Sequence, residues 1–332
     1  MKRIILRGVA LLSLLSVLLL TTGCGTVKKY TFTDMTVFDT EAIVTGYDVS
    51  EAEFQKKAEG VFSLLKEYHR LYDIYNEYEG INNLCTVNLN RGKAPVKVDE
   101  RIIDLLEFAK EMYRETDGLM NIAMGSVTSL WHDFRESDGA LPTEQALEAA
   151  GAHTDIFCIV IDREGGTVFL SDREMSLDVG SCAKGYATEC AAKFIEEQGW
   201  DNIALSIGGN VRTVGEKADG EGWSVGIQNP YDGDGEKVKL SRTVTDASCV
   251  TSGSYQRYRE LDGVRYHHII DGETLYPENR FLSVTVLCRD SGVADALSTA
   301  LFNADEETGK KILSRFDAEG IWIYPDGKIS QS

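Results

Sequence analysis

Apolar residues recur at three- and four-residue spacing through Phe54, Ala58, Val61, Phe62, Leu65 and Tyr68, which predicts an amphipathic helix over about residues 51–71. Similar spacing predicts helices over 102–113 and 183–198, and shorter ones over 143–151 and 295–302. Runs at 157–161 and 167–170 flank Glu164-Gly165-Gly166 and predict a hairpin. Further strands are predicted at 203–207, 223–227, 240–245, 283–287 and 321–324, with a turn-rich surface loop at 229–237. Helices and strands mix without strict alternation, and no internal repeat interrupts them. The pattern therefore predicts a single compact α+β domain rather than a doubly wound parallel sheet.

The first segment stands apart from that body. Lys2, Arg3 and Arg7 precede a mostly apolar run, 9–20. It is shorter than the roughly 20 residues a membrane-spanning helix needs, so it reads as a signal-peptide core. The run ends in Leu20-Thr21-Thr22-Gly23-Cys24, which resembles the lipobox of bacterial lipoproteins. The resemblance implies a signal peptide over 1–23, diacylation of Cys24, a tether over 24–32 and a folded body over 33–332. It places the chain on a bacterial cell membrane, lipid-anchored and facing the extracytoplasmic side. An ordinary cleaved signal with an incidental cysteine is the alternative.

Composition narrows the function classes. The chain has 332 residues, 34 Lys+Arg against 53 Asp+Glu and a formal charge of −19; 43% of residues are hydrophobic and five are proline, as in globular proteins. Removing the three basic residues of the signal takes the charge from −19 to −22. With no basic stripe to neutralise phosphates, the composition excludes a nucleic-acid binder, and it leaves the anchor as the only membrane contact. Cys85, Cys158, Cys182, Cys190, Cys249 and Cys288 form no CxxC pair and match no zinc spacing. Cys158 and Cys288 lie in apolar runs and read as small buried hydrophobes; all six read as free thiols.

GxGxxG, Walker, HExxH, GxSxG and EF-hand patterns do not occur. Four other segments carry candidate chemistry. In Asp178-Val179-Gly180-Ser181-Cys182-Ala183-Lys184-Gly185-Tyr186, a glycine turn opens a helix, offering either free N–H groups to an anion or a plain capped connection. Gly208-Gly209-Asn210 follows a strand, where paired glycines admit a ligand or simply turn the chain. Thr251-Ser252-Gly253-Ser254-Tyr255 precedes Tyr266-His267-His268-Ile269-Ile270-Asp271. On a strand the two histidines point to opposite faces, so one can serve as a general base while they do not chelate one ion together; a structural histidine is the alternative. Asp295 and Thr299 stand at i and i+4 on a helix, either as oxygen ligands for a hard cation such as Mg²⁺ or as one exposed acid beside a hydroxyl.

Taken in order, these segments resemble the ApbE family of FAD:protein FMN transferases. The family's D-x-G-x-x-A-K-G-Y turn is matched by Asp178–Tyr186, its GG[ND] strand end by Gly208–Asn210, and its TSG-x-Y…HIID block by Thr251–Tyr255 with His268–Asp271. Its SVTV…ADALSTAL helix is matched by Ser283–Val286 with Ala294–Leu301. Asp117-Gly118-Leu119-Met120-Asn121 through Leu130-Trp131 resembles the DGAFD…LW segment, and Tyr75 falls where the family tyrosine contacts flavin. The resemblance covers roughly residues 33–325. It implies an ApbE-like (T-fold-like) domain of mixed helices and mainly antiparallel sheet.

The resemblance also implies the reaction: Mg²⁺-dependent transfer of FMN from FAD to a Thr or Ser hydroxyl, releasing AMP. The implied acceptors are exported FMN-binding-domain proteins of electron-transfer complexes. By similarity, His268 is the catalytic base, and Ser181 (through its carbonyl), Asp295 and Thr299 hold Mg²⁺. Phe38, Tyr75, Leu119, Met120, Asn121, Asp178, Lys184, Gly208, Gly209, Ile270 and Ser298 line the FAD site. The alternatives are an Mg²⁺-dependent FAD pyrophosphatase giving FMN and AMP, and a non-catalytic FAD-binding lipoprotein. Asn121 stands where the family has an aspartate, Phe38 where methionine is frequent, and Ser126 where Gly-Pro is usual.

Overall fold

The computed structural model describes residues 26–137, 139–231 and 238–332. The signal segment, Cys24 and positions 232–237 of the turn-rich loop lie outside them. Strand β1 (Lys28–Val37) pairs antiparallel with β2 (Thr40–Asp48). Tyr30 and Phe32 on β1 lie over Phe54, with ring centroids 6.1 and 6.0 Å away. Regular structure thus begins at Lys28, inside the stretch read as a tether, because these two aromatics have a core residue to cover.

Helix α1 (Glu51–Tyr72) is capped by Ser50, whose hydroxyl accepts the Glu53 N–H. Its apolar stripe is buried as the spacing predicted. There follow α2 (Leu84–Leu89), β3 (Val96–Lys97), α3 (Glu100–Glu115), α4 (Gly125–Glu136) and α5 (Glu144–Gly151). The predicted hairpin is β4 (Ile159–Asp162) and β5 (Thr167–Leu170), joined by β3 into a small sheet. After α6 (Ala183–Glu197) come β6 (Ile203–Ile207), β7 (Asn210–Val214), the hairpin β8 (Trp223–Gln228) and β9 (Val238–Val244), and β10 (Ser248–Gly253). The chain ends with the hairpin β11 (Tyr258–Leu261) and β12 (Val264–His267), then β13 (Ser283–Cys288), α7 (Ser291–Asn303), α8 (Glu306–Leu313), β14 (Ala318–Ile323) and β15 (Ile329–Gln331).

The main sheet has eight strands in the order β1-β2-β6-β7-β10-β13-β14-β15, and its ladders are antiparallel. One face buries Val44, Leu205, Val250, Val284 and Trp322 in a core shared with α1, α6 and α7. A smaller cluster, Trp223, Val225 and Ile227 against Ile321 and Ile323, uses the other face. A third, around Trp131, Phe134 and Ile270, seats α4. The architecture is α+β and mainly antiparallel.

Two expectations shift. Helix α7 starts earlier than 295, because Asp290 Oδ1 accepts the Gly292 and Val293 N–H groups at 2.8 and 3.1 Å and caps it there. Asn229 and Pro230, assigned to an exposed loop, are buried. All six described cysteines are free, but Cys158 and Cys288 are only partly buried.

Candidate active site

The turn before α6 is held by Asp178. Its Oδ1 accepts the Gly180 N–H at 2.9 Å and its Oδ2 the Thr128 hydroxyl at 2.7 Å, while its own N–H donates to Ile122 O at 2.8 Å. That last bond lays the 176–178 segment beside 122–125, where the Gly125 N–H also donates to Ser176 O at 3.0 Å. Lys184, in the first turn of α6, is half-buried, with Nζ 3.4 Å from Gly180 O.

Helix α7 crosses α6 at this point. Asp295 is 4% exposed, so it is not the solvated acid that its helical spacing also allowed. Its Oδ2 accepts the Gly185 N–H at 2.8 Å. Burial raises its pKa; the Lys184 charge, the Gly185 N–H and the Asn210 amide oppose that rise. One turn on, Ser298 donates to Asp295 O at 2.9 Å, and the Ser252 hydroxyl lies 2.8 Å from that of Ser298 and 3.4 Å from that of Thr299. The Thr-Ser-Gly segment of β10 is therefore tied to the helix that carries Asp295.

One buried oxygen here, Ser181 Oγ, has no hydrogen-bond partner. An orphaned hydroxyl oxygen near a buried carboxylate, with the half-exposed Thr299 on the same helix, fits a hard cation. Among the described residues no group of three His, Cys, Asp or Glu side chains assembles for a metal. An Mg²⁺ site with one carboxylate, a hydroxyl and a carbonyl, completed by water and ligand phosphate, is compatible with that count.

His267 ends β12, and His268 follows it. His267 is fully buried; its Nε2 lies 2.7 Å from Glu278 O, and its Nδ1 accepts the Ile269 N–H at 3.2 Å. It is the structural histidine of the pair. His268 is half-buried, with Nδ1 buried and unpartnered, which leaves Nε2 as the nitrogen open to an incoming group. Burial pushes its pKa down to about 3, helped by His267, Arg135, Arg257 and Lys184. At neutral pH it is an unprotonated imidazole among positive charges.

The other predicted residues fall around this centre. Tyr75 is 60% exposed, on a loop fixed by Asp73, which accepts the Tyr75 and Asn76 N–H groups at 2.7 and 3.0 Å. Partial burial lifts the Tyr75 phenol to about 12, with Asp178 adding to the rise and Arg135 and Arg257 opposing it. Asn121 donates to Thr154 O at 2.9 Å and accepts the Ala123 N–H at 2.8 Å, so its amide shapes the segment. Met120 is fully buried in the core, with its N–H donated to Thr116 Oγ1 at 3.3 Å, so the structure does not place it on an open surface. Gly208 and Gly209, at φ +55° and +93°, form the β6–β7 hairpin turn. A Cβ at Gly208 would lie 2.7 Å from Thr40 Oγ1. The turn reading therefore accounts for both glycines, and they lead into Asn210 beside Asp295. Phe38, at φ +52° on the neighbouring β1–β2 turn, donates its N–H to His69 Nδ1 at 3.1 Å.

Sequence reasoning passed over several residues that assemble these parts. Asn303, the last residue of α7, donates to Leu119 O and Ile270 O at 3.4 and 3.3 Å and joins two predicted lining segments. Arg212, 1% exposed, pairs with Glu189 at 3.0 Å, and Glu189 also accepts the Ser291 N–H at 2.9 Å, fixing the start of α7 from behind. Helical spacing in 125–136 was the signal available for α4, but its start lacks a side-chain cap.

The ApbE family model matches residues 33–322. The chain belongs to the ApbE family. A relative from Treponema pallidum (strain Nichols), an FAD:protein FMN transferase, is 34% identical over 297 residues, 85% of this chain and 80% of its own. One from Klebsiella pneumoniae (strain 342), of the same name, is 32% identical over 274 residues, 82% of this chain and 83% of its own. The ApbE protein of Thermotoga maritima superposes with a TM-score of 0.82 at 26% identity, covering 92% of this chain and 97% of that one. The flavin transferase ApbE from Vibrio cholerae gives 0.79 at 26% identity with the same coverage. Of the motifs that carry the ApbE resemblance, the 178–186 turn reaches Asp295 and the Thr-Ser-Gly strand reaches Ser298 and Thr299, while the segments holding Leu119 and Ile270 meet the same helix at Asn303.

Proposed function

We propose that this chain is an FAD:protein FMN transferase that moves FMN from FAD onto a Thr or Ser hydroxyl of an exported flavoprotein and releases AMP. The observation that carries the reading is the α6–α7 crossing: the buried Asp295 carboxylate accepts the Gly185 N–H at 2.8 Å, with Thr299 one turn on and its hydroxyl 3.4 Å from that of Ser252, and the half-buried His268 keeps an unpartnered Nδ1. Simple flavin storage has no use for a buried carboxylate set among hydroxyls. The names of the Treponema and Klebsiella relatives support the same activity.

In the step itself, the acceptor hydroxyl oxygen forms a bond to the FMN phosphorus and the pyrophosphate P–O bond to AMP breaks. The hydroxyl proton passes to His268 Nε2, because an unassisted threonine is a poor nucleophile. Lys184 faces the developing phosphate charge, whereas the Gly180, Cys182, Ala183 and Gly185 N–H groups are donated within the protein; positioning and neutralisation of charge make up most of phosphoryl-transfer catalysis. Asp295, Thr299 and the Ser181 carbonyl would hold Mg²⁺, which supplies further charge neutralisation at the pyrophosphate when bound. Asp178 keeps the turn in shape, and Tyr75 offers an aromatic face to a planar ring.

The lipobox-like Cys24 supports an extracytoplasmic, lipid-anchored enzyme, and the acceptors that fit are FMN-binding domains of exported electron-transfer proteins. The test is incubation with FAD, Mg²⁺ and such a domain, followed by in-gel flavin fluorescence after denaturation. Fluorescence that stays with the acceptor is the expected result. Free FMN and AMP without labelling would mark a hydrolase instead, and uncleaved bound FAD would mark a carrier.

A further inference from the structure

One face of α4 carries three half-buried polar side chains. Thr128, His132 and Arg135 stand at i, i+4 and i+7, a single stripe of the helix. Thr128 Oγ1 donates to Asp178 Oδ2 at 2.7 Å. The His132 ring lies against Tyr75, with centroids 5.2 Å apart. Arg135 Nη1 donates to His267 O at 3.4 Å. The stripe therefore runs from the carboxylate that fixes the α6 turn, past the exposed tyrosine, to the strand end that carries His268.

Arg135 is the permanent charge on that stripe, and it is underused. It is half-buried, and the long bond to His267 O is its only hydrogen bond among the described residues. Arg101, Arg163, Arg212 and Arg315 each reach a carboxylate, at 2.6, 2.6, 3.0 and 2.6 Å respectively. Arg135 makes no such pair among the described residues, and Asp178, whose charge it feels, is already committed to Gly180 and Thr128. A partly desolvated guanidinium with N–H donors to spare is stabilised when an anion with paired oxygens arrives. Between Tyr75, suited to a planar ring, and His268, beside the transferring group, the anion within reach is the phosphate on the flavin half of the dinucleotide.

We propose that Arg135 is a substrate-positioning residue that binds the FMN phosphate of FAD, an assignment that rests on the transferase reading. It complements Lys184 and fixes the phosphoryl group against His268. Conversion of the Arg135 fork to a lysine keeps the charge and loses the two-pronged contact.

The test is titration of riboflavin and of FMN into the full chain without added divalent cation, followed by flavin fluorescence, for wild type, Arg135→Ala and Arg135→Lys. FMN affinity is expected to fall about tenfold or more in Arg135→Ala and by less in Arg135→Lys, with riboflavin affinity within about twofold throughout. Retained riboflavin binding also reports a folded site; should Arg135→Ala fail to fold, Arg135→Lys decides alone. Equal loss for both flavins in the folded variant, or no loss for FMN, overturns the assignment. Wild-type protein that binds neither flavin overturns the transferase reading, and the assignment falls with it.

Discussion

The Gly185 N–H donates to Asp295 Oδ2 at 2.8 Å across the α6–α7 crossing, and a Cβ on Gly185 would lie 2.3 Å from Asp295 Cβ. One glycine therefore both lets the helices approach and holds the carboxylate. Gly185→Ala is expected to lower stability by about 1–3 kcal/mol or more, since the clash includes the Ser291 carbonyl as well. Chemical denaturation of the variant, with transfer rate measured in parallel, checks this; both are expected to fall together.

Asp295 itself separates function from stability. A buried carboxylate costs free energy that an amide of the same shape does not. Asp295→Asn is expected to lose two or more orders of magnitude in transfer rate while its thermal midpoint stays level or rises. A large fall in the midpoint would mean that the carboxylate holds the fold rather than the chemistry.

As the proposed base, His268 would set the acid limb of activity. Its folded pKa lies near 3, below the usual 6.5, so the base stays unprotonated as pH drops through 6. The profile of kcat/KM against pH is expected to lose no activity to His268 between pH 7 and 5. A single-proton fall centred near 6.5 would contradict the buried, cation-flanked imidazole.

His267 links pH to stability. Burial takes its folded pKa down to about 4, with its hydrogen bond to Glu278 O partly offsetting the fall. The unfolded chain binds the proton first, so this contribution is fully present above pH 6.5 and is lost as pH falls toward 4, with a slope of up to about 1.4 kcal/mol per unit. His268 adds in the same direction. Urea unfolding at pH 7 and 5 is expected to show the loss, and His267→Gln is expected to reduce its pH dependence.

Much of this arrangement is legible in the sequence where local chemistry and tertiary context agree. The stripe from Phe54 to Tyr68 marks α1, and the glycine turn at 180 marks the start of α6. The β1–β2 hairpin is less legible, because β1 is a mostly exposed edge strand whose inner side mixes Tyr30 and Phe32 with the charged Asp34, paired to Lys66, before Val37 is buried. Helix α4 opens with Gly125, Ser126 and Val127 and has no side-chain cap, so tertiary packing of Val127, Trp131 and Phe134 decides it. At the site, Asp295, Lys184 and His268 stand in recognisable segments. Asn303, Arg212 and Arg135 act through contacts with residues far along the chain, which no local pattern reports.

The central claim is that His268 and Asp295 act together to move FMN onto a protein hydroxyl. Intact-mass analysis of an acceptor FMN-binding domain after incubation with FAD and Mg²⁺ tests it most directly. The account predicts a gain of one FMN less one water on the acceptor, stoichiometric AMP, and loss of both in His268→Ala and in Asp295→Asn. An unmodified acceptor alongside free FMN and AMP, or labelling that survives either substitution, would contradict it.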